Sequence, residues 1–305
     1  MPRRDAARCA ATRFATVTHV TLTLDSTIDL RGGVAIPRLG LGVYQSRPGD
    51  ETRMAVRHAL ELGYRHIDTA SAYGNESDVG EAIRESGIAR ERIFVTTKVW
   101  NRDHGYDATL RACRASLRQL RMEYVDLYLI HWPVARLRAE TWRALATLQA
   151  DGLCRAIGVS NYTVRHLREL IDRGDPTDPI DREDAVPVPA VNQVEFSPFL
   201  YQRELLAFCR QHDIALEAYS PLAQAQRLDD PRLVQLAQRH GKSAAQVMLR
   251  WALQRDVVVI PKSVRRSRIA ENADIFDFAL DENEMAQLDG LHDDFRVCWD
   301  PTRAP

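Results

Sequence analysis

Short apolar runs alternate with longer amphipathic segments along most of the chain from residue 36 onward. A short, continuous apolar run is typical of a strand buried in a parallel sheet, whereas apolar residues spaced three and four apart indicate a helix. Strands are predicted at 38–44, 65–69, 92–100, 124–131, 155–161, 190–196, 214–220 and 256–263. Helices are predicted near 50–63, 77–87, 107–121, 140–151, 163–172, 201–212, within 230–254, from about 266, and at 281–290.

The alternation of strands and helices predicts the fold class. Eight strand–helix units in about 260 residues match an α/β fold of the (β/α)₈ TIM-barrel type in number and in size. The alternative is a doubly wound parallel sheet, which would have fewer strands and a glycine-rich first crossover. No GxGxxG motif occurs in this sequence, so the barrel is favoured. Residues 16–36, with a Gly32–Gly33 turn, predict an N-terminal β-hairpin that caps one end of the barrel.

Two segments fall outside this alternation. Residues 1–17 carry four arginines and one acid, so a transit peptide is conceivable on composition. No long apolar stretch there supports secretion, and a disordered extension is the simpler expectation, which leaves 18–305 as one barrel domain. Residues 172–189 contain four prolines and six acids, and they are expected to form a solvated loop on the face opposite the active site.

Composition narrows the class of protein. An apolar content of 45% with 27% charged residues describes an ordinary soluble globular protein. The net charge of −1 argues against a general binder of nucleic acid or acidic membranes, and no apolar run approaches the length of a transmembrane helix. The cysteines are odd in number and lack CxxC spacing, which predicts free thiols in a reducing cytoplasm. They are Cys9, Cys113, Cys154, Cys209 and Cys298.

Polar residues cluster where successive predicted strands end. Asp68 ends the second strand, Lys98 lies late in the third, and His131 closes the fourth. Gln193 lies in the sixth strand, and Tyr73 follows in the loop after the second. A lone histidine is more often structural, but lysine is rarely buried unless it is paired. Because active sites of barrels lie at the carboxyl ends of the strands, this group favours chemistry over coincidence.

Four of these residues support proton transfer to a carbonyl oxygen. A free tyrosine has a pKa of about 10, and a neighbouring ammonium such as that of Lys98 is expected to lower the pKa of Tyr73. Asp68 can keep Lys98 charged, and His131 can orient the substrate oxygen. Because no side chain donates hydride, the set implies a nicotinamide cofactor. The nine histidines are dispersed without metal-ligand spacing, so no metal site is predicted.

Seven segments of the chain resemble blocks of the aldo-keto reductase family, in family order. They are GYRHIDTASAYGNE, TTKVW, VDLYLIHWP, AIGVSNY, NQVEFSP, EAYSPL and IPKSVRRSRIAENADIFDF. The resemblance covers about residues 20 to 300 and is strongest to microbial members such as 2,5-diketo-D-gluconate reductases and aldehyde reductases. It implies a (β/α)₈ barrel that binds NADPH without a Rossmann motif.

The resemblance also implies residue roles. Tyr73 would be the proton donor, Lys98 with Asp68 its tuning pair, and His131 the group that positions the carbonyl. Further residues are implied to bind the cofactor: Ser160, Asn161 and Gln193 at the carboxamide, Tyr219 stacked on the nicotinamide ring, and also Ser220, Leu222, Lys262, Ser263, Arg268, Glu271 and Asn272. Helix N-capping remains an alternative role for Ser160 and Asn161, and an ordinary core aromatic for Tyr219.

A basic stretch, PKSVRRSR, adds an electrostatic argument. Arg265, Arg266 and Arg268 open a predicted helix whose N-terminus is already electropositive, which is unfavourable unless an anion binds there. A phosphate held by backbone N–H groups, Lys262 and Arg268 would resolve the conflict. The resemblance makes this the adenosine 2′-phosphate, with Glu271 and Asn272 near the adenine, and so predicts NADPH over NADH. A solvated basic turn is the alternative.

The predicted function is NADPH-dependent reduction of aldehydes and ketones to alcohols, by a monomer that acts on small carbonyl compounds. The short loop between Trp132 and Trp142 predicts an open pocket lined by Tyr44, Trp100 and Trp132. The alternative is a catalytically weak NADPH-binding regulatory protein on the same barrel. A hydrolase is disfavoured because metal ligands and a convincing carboxylate pair are missing from the sequence.

Overall fold

The computed structural model of the chain describes residues 22–172 and 187–304. The predicted extension at 1–17 lies outside the described residues, as does most of the acidic, proline-rich segment at 172–189.

Eight parallel strands form a single sheet whose order follows the chain. They are β3 Leu41–Gly42, β4 His66–Asp68, β5 Phe94–Val99, β6 Val125–Ile130, β7 Cys154–Ser160, β8 Val191–Glu195, β9 Ala215–Tyr219 and β10 Val258–Val259. Parallel bridges from Leu39 to Val259 and from Gly42 to Lys262 join the first strand of this sheet to the last. The sheet therefore closes into a barrel, and each strand overlaps one of the eight predicted apolar runs. The predicted fold is confirmed.

An antiparallel hairpin precedes the barrel. Its strands, β1 Thr27–Asp29 and β2 Ala35–Pro37, pair across a turn in which Gly32 and Gly33 have φ of 91° and 78°. Backbone in this left-handed region favours glycine because a Cβ atom would clash with the chain. Ile36 of the hairpin is fully buried and packs in one cluster with Leu127 and Leu129 of the barrel. The hairpin therefore caps one end of the barrel, as predicted.

Ten α-helices surround the described strands or follow them. They are α1 Asp50–Glu61, α2 Glu76–Glu85, α3 Tyr106–Leu120, α4 Arg138–Ala150, α5 Val164–Ile171, α6 Arg203–Gln211, α7 Pro231–His240, α8 Ala244–Gln254, α9 Arg266–Ala273 and α10 Glu282–Asp289. The helical region predicted within 230–254 is two helices. Gly241 ends α7 in the left-handed conformation, and the Ser243 side chain caps α8 by accepting a bond from the Gln246 N–H.

Helices α2 and α3 approach each other closely at Gly80. A Cβ atom built on Gly80 would lie 2.1 Å from the carbonyl oxygen of Leu120 at the end of α3. Both residues are buried, and the obstacle is backbone rather than a side chain that could rotate away. The glycine is therefore required by packing between the two helices.

We expect Gly80→Ala to destabilise the protein. At an exposed helix position the same substitution would stabilise the helix by about 0.5–1 kcal/mol, because glycine loses more conformational freedom on folding. The clash with Leu120 must displace one helix, and overpacking of this kind typically costs about 1–3 kcal/mol. The matched control is Ser77→Ala on the exposed face of α2, which should change the free energy of unfolding by less than about 0.5 kcal/mol. Urea unfolding measures both, and a Gly80→Ala protein as stable as the parent would contradict the close packing.

Candidate active site

A buried ion pair between Asp68 and Lys98 lies at the carboxyl ends of the adjacent strands β4 and β5. The Lys98 ammonium donates to both oxygens of the Asp68 carboxylate, at 2.7 and 2.8 Å, and to the Thr69 carbonyl at 2.8 Å. The Lys98 side chain is fully buried and that of Asp68 is 3% exposed. Since an ammonium has three N–H donors, these acceptors match its bonding capacity. The sequence-based pairing of the two residues agrees with this geometry.

Burial and pairing with Lys98 shift the pKa of Asp68 in opposite directions. Burial raises the pKa of Asp68, because it disfavours the charged form. The Lys98 ammonium and the amide of Gln193 both oppose that rise in the pKa of Asp68. Gln193 contributes through a bond of 2.8 Å from its Nε2 to Asp68 Oδ2. The carboxylate is therefore held from two sides of the barrel.

A short turn after β4 returns the Tyr73 phenol towards this pair. Residues Ser71–Tyr73 form a single 3₁₀ turn, and the Ser71 hydroxyl fixes it by donating to the Lys98 carbonyl at 2.9 Å. The phenol oxygen of Tyr73 then lies 3.5 Å from Lys98 Nζ. The loop thus brings together three residues that are separated in sequence and were predicted to share a site.

The protonation of Tyr73 differs from the sequence-based expectation. Burial raises the pKa of the Tyr73 phenol well above its ordinary value, and the nearby Asp68 carboxylate adds to the rise. The predicted net lowering of the pKa of Tyr73 was therefore wrong. The reason is that burial outweighs the effect of the ammonium, which lies 3.5 Å from the phenol oxygen and is bonded more closely by Asp68 and the Thr69 carbonyl. Tyr73 therefore retains its proton at neutral pH.

His131 completes the group just beyond strand β6. Its ring lies 5.6 Å from that of Tyr73 between centroids, in a T-shaped arrangement, and 5.1 Å from that of Trp100. Burial lowers the pKa of His131 well below its ordinary value, and the charge of Lys98 lowers it further. His131 is therefore a neutral imidazole at neutral pH, able to donate one hydrogen bond and accept another.

Polar side chains on the next three strands form a connected set beside His131. Tyr219 donates from its hydroxyl to Asn161 Oδ1 at 2.7 Å, and Asn161 Nδ2 donates to the His131 carbonyl at 3.0 Å. The Ser160 hydroxyl donates to the Gln193 carbonyl at 2.8 Å. These four residues, from β7, β8, β9 and the residue after β7, are joined by hydrogen bonds to one another and to the His131 backbone.

Neither Ser160 nor Asn161 caps helix α5. The N-cap of α5 is Thr163, whose hydroxyl accepts from the His166 N–H while the His166 ring accepts from the Thr163 N–H. Ser160 ends β7 instead, and Asn161 has a left-handed φ of 63°. Tyr219 is half-buried and hydrogen-bonded, so it is not an ordinary core aromatic.

The basic turn predicted to bind phosphate lies after β10 and at the start of α9. Lys262 is exposed and donates to the Gln45 carbonyl at 3.3 Å, and Arg268 is exposed on the first turns of α9. The N-cap residue of α9 is Arg265, which supplies no side-chain capping bond. Arg266 pairs with Glu61 of α1. The helix N-terminus thus carries basic side chains, as expected from the sequence.

The remaining residues that were predicted to bind cofactor lie near these two ends of the site. Ser263 is buried before α9 and its hydroxyl accepts from the Arg265 N–H at 3.1 Å. Asn272 is buried and Glu271 half-buried on α9, while Ser220 and the half-buried Leu222 follow β9.

The carboxyl-terminal segment also reaches the site, which sequence reasoning missed. The buried Glu195, at the end of β8, accepts from the N–H groups of Val297 and Cys298 at 2.7 and 3.1 Å. This anchor places Trp299 5.9 Å from Trp132 between ring centroids, with the Trp299 side chain 72% exposed. A glutamate at the end of an apolar strand was the available signal, but its partners lie about 100 residues further along the chain.

Aromatic side chains form the rim of the site. Tyr44 is 52% exposed and its ring lies 5.0 Å from that of Tyr73. Trp100 and Trp132 are half-buried. These three residues were predicted to line the pocket, and Trp299 extends the same rim.

Neither a metal cluster nor a membrane-spanning helix occurs in the described part of the chain. Within residues 22–172 and 187–304, His, Cys, Asp and Glu do not form a group of three or more that could hold a metal ion. Among those same residues, no helix has the length and apolar content needed to cross a membrane.

Comparison with known proteins identifies the family. The model of the aldo/keto reductase family matches residues 38–293 of this chain. The chain belongs to the aldo/keto reductase family. It is 50% identical over 279 residues to the glyoxal reductase of Bacillus subtilis (strain 168), covering 92% of this chain and 97% of that protein.

Solved structures of other family members superpose on this aldo/keto reductase. A point mutant of Gox0644 in complex with NADPH is 40% identical with a TM-score of 0.84, over 92% of this chain and 99% of that one. The Bombyx mori aldo-keto reductase in complex with NADP is 35% identical with a TM-score of 0.84, over 93% and 99% of the two chains. The predicted enzyme class, an NADP-dependent oxidoreductase that acts on carbonyl and CH–OH groups, is confirmed.

We expect Lys98→Met to destabilise this aldo/keto reductase at neutral pH by about 3–5 kcal/mol, because it leaves the Asp68 carboxylate buried without a counter-charge. Burial already raises the pKa of Asp68 above its ordinary value of 3.8 in the parent, and the loss of the opposing Lys98 charge should raise it further, so the folded variant would bind more protons than the folded parent. The deficit in stability should therefore widen as the pH rises from about 4 to about 8. Urea unfolding across that range measures it.

The control for this prediction is the double variant Asp68→Asn/Lys98→Met, which buries no charge at either position. It should be more stable than Lys98→Met alone and should show a weaker pH dependence. If the single variant is as stable as the parent at every pH, the pair carries no buried charge.

Proposed function

We propose that this aldo/keto reductase reduces aldehydes and ketones to alcohols with NADPH, and that Tyr73 delivers the proton to the carbonyl oxygen. The observation that supports the assignment is the approach of Tyr73, Lys98 and His131 at the barrel mouth. The phenol oxygen lies 3.5 Å from the ammonium, and the phenol and imidazole rings lie 5.6 Å apart. An acid, a fixed positive charge and a neutral donor thus face one small volume.

The residues at the site fit a dinucleotide of this kind. The amide and hydroxyl groups of Ser160, Asn161 and Gln193 suit a carboxamide, and the half-buried ring of Tyr219 beside them suits a flat nicotinamide. NADPH, when bound, supplies the hydride. At the other end, the basic N-terminus of α9 suits a phosphate. There, Lys262, Ser263 and Arg268 would hold the 2′-phosphate, Glu271 and Asn272 the adenine, and Ser220 and Leu222 the region between.

The side chains of this protein supply the proton that the carbonyl oxygen takes up during reduction. Because burial raises its pKa, Tyr73 carries a proton at neutral pH and can give it to the substrate oxygen as negative charge develops there. The phenolate that remains is stabilised by the Lys98 ammonium, which Asp68 keeps in place. His131 is neutral, so it can donate a hydrogen bond to the same oxygen without competing to protonate it.

The rim of the pocket supports a broad range of carbonyl substrates. Tyr44, Trp100, Trp132 and Trp299 offer apolar, aromatic surface and Tyr44 and Trp299 remain largely exposed. Such a rim selects weakly by shape, so the physiological substrate is best sought by screening. Glyoxal is a suitable first compound, since a glyoxal reductase is among the similar relatives.

The proposal also covers the cellular location, the oligomeric state and the domain extent of the enzyme. We assign it to the cytoplasm as a monomer, with residues 18–305 as one catalytic domain. Support comes from the described cysteines, which are free thiols at Cys113, Cys154, Cys209 and Cys298. A family match over 38–293 is consistent with one domain.

The proposal predicts that Tyr73→Phe lowers kcat for aldehyde reduction by about 10²–10⁴-fold, because the variant lacks the acid that protonates the substrate oxygen. The Kd for NADPH should stay close to that of the parent. Stopped-flow NADPH oxidation and fluorescence titration measure the two quantities. Tyr44→Phe is the matched control, since it removes a neighbouring phenol 5.0 Å away and should retain activity. A Tyr73→Phe enzyme with most of its kcat would refute the assignment.

A second prediction concerns cofactor choice. Arg268→Ala should reduce the preference for NADPH over NADH in kcat/KM by about tenfold or more, because a charge-assisted hydrogen bond contributes about 1.5–3 kcal/mol. The control is Arg266→Ala, whose guanidinium pairs with Glu61 and should matter less. Steady-state kinetics with both cofactors decide the matter. Equal efficiency with both in the parent enzyme, or an unchanged preference in Arg268→Ala, would contradict a 2′-phosphate site here.

A further inference from the structure

A second carboxyl group lies below the Asp68–Lys98 pair, inside the barrel. Gln193 Nε2 donates to Asp68 Oδ2 at 2.8 Å and also to Glu217 Oε2 at 2.9 Å. Glu217 lies on β9 and is fully buried. The amide of Gln193 has two N–H donors on this nitrogen, so one amide group bridges the two carboxyls.

The groups around Glu217 supply little charge to balance it. His66, on β4, places its Nε2 3.5 Å from Glu217 Oε1 and 3.1 Å from the Thr96 hydroxyl of β5. Burial lowers the pKa of His66 to about 3, so this imidazole is neutral. The Lys98 ammonium is bonded to Asp68 and the Thr69 carbonyl. Around the Gln193 amide, one ammonium therefore faces two carboxyls, those of Asp68 and Glu217.

One of the two carboxyls must therefore be neutral, and the contacts indicate which. Asp68 receives two bonds from the ammonium and one from Gln193, whereas Glu217 receives a single bond from Gln193. Glu217 Oε1 is buried and makes no hydrogen bond to the described residues. The nearest ring nitrogen, His66 Nε2, lies 3.5 Å from it. Burial raises the pKa of Glu217 to about 8, and the charge of Asp68 contributes to that rise.

We infer that Glu217 carries a proton at neutral pH and acts as a positioning residue for proton delivery, by fixing the Gln193 amide that holds the Asp68 carboxylate. The inference rests on the proposed role of Tyr73. With both N–H groups of Gln193 directed at the two carboxyls, its amide oxygen remains for the cofactor. Asp68 in turn orients Lys98 beneath the Tyr73 phenol. The protonated Glu217 carboxyl thus acts on the reaction indirectly, through Gln193 and the Asp68–Lys98 pair.

The arrangement gives the reaction a dependence on pH. When Glu217 loses its proton, a second negative charge appears beside Asp68, among His66, Thr96, Gln193 and Lys98. Negative charge raises the pKa of a phenol and so makes Tyr73 a weaker acid. The rate of carbonyl reduction should therefore fall as the pH rises through about 8, where Glu217 titrates.

The test compares Glu217→Gln, which is permanently neutral and of similar shape, with Glu217→Leu, which cannot accept the bond from Gln193. At about pH 6, Glu217→Gln should keep the single-turnover rate of NADPH oxidation within about twofold of the parent, and it should lose the fall near pH 8. Glu217→Leu should be slower by about tenfold or more at every pH, since the Gln193 amide loses one anchor. Glu76→Gln is the matched control, a buried carboxyl bonded to Thr97 instead.

A second readout does not depend on catalysis. Because the pKa of Glu217 is raised from 4.5 to about 8 on folding, the folded protein binds an extra proton between these values, and its stability falls as pH rises through that window. Glu217→Gln removes this loss, so its free energy of unfolding relative to the parent should increase from about pH 5 to about pH 8. Urea unfolding of the protein without cofactor measures it.

The two readouts separate the possible failures. If Tyr73→Phe remains active while the stability difference follows the predicted course, the proposed proton donor is wrong and the protonated Glu217 stands. If Glu217→Gln matches the parent in both pH profiles, the inference is overturned. A Glu217→Leu protein that folds and keeps the full rate would likewise refute the positioning role, and one that fails to fold leaves the Glu217→Gln profiles to decide.

Discussion

The buried ion pair of Asp68 and Lys98 is the constraint on which the rest of the site depends. Removing an ammonium from water costs several kcal/mol unless acceptors replace the solvent, and here three acceptors lie within 2.8 Å of Lys98 Nζ. All three come from the last residue of β4 and the residue after it, which adjoin β5 because the strands pair in parallel register. The barrel therefore supplies the acceptors that offset the desolvation of Lys98. Lys98 in turn places a positive charge near the Tyr73 phenol.

Backbone strain concentrates on the same face of the barrel. After β9, Ser220, Ala223, Gln224 and Ala225 all have φ between 46° and 64°, although none is glycine. Such conformations cost free energy and persist where surrounding contacts impose them. Gln224 contacts Cys298 of the carboxyl-terminal segment, at 3.7 Å, and the buried Glu195 anchors that segment. Contacts with the strands thus support an irregular rim at their carboxyl ends.

The sequence was sufficient for the eight strands because buried parallel strands are continuous apolar runs, and polar residues stand out at their ends. The same reasoning located Asp68, Lys98 and His131. It failed where the outcome depends on contacts distant in sequence: Glu195 meets Val297, which no local pattern specifies. It also failed on the pKa of Tyr73, because the direction of the shift depends on how deeply the folded barrel buries the phenol. The break of one predicted helix at Gly241 was readable in principle from the glycine itself.

Burial has a common effect on the titratable groups around the ion pair. It raises the pKa values of Tyr73 and Glu217 and lowers those of His131 and His66, so each is displaced towards its neutral form. Charge that develops on a substrate oxygen would then meet neutral donors and one fixed ammonium, with little water to screen them. Low polarity strengthens the attraction between the substrate oxygen and these groups, as long as the Asp68 carboxylate keeps Lys98 charged. The neutrality of the neighbouring groups is therefore as much a part of the site as its single ion pair.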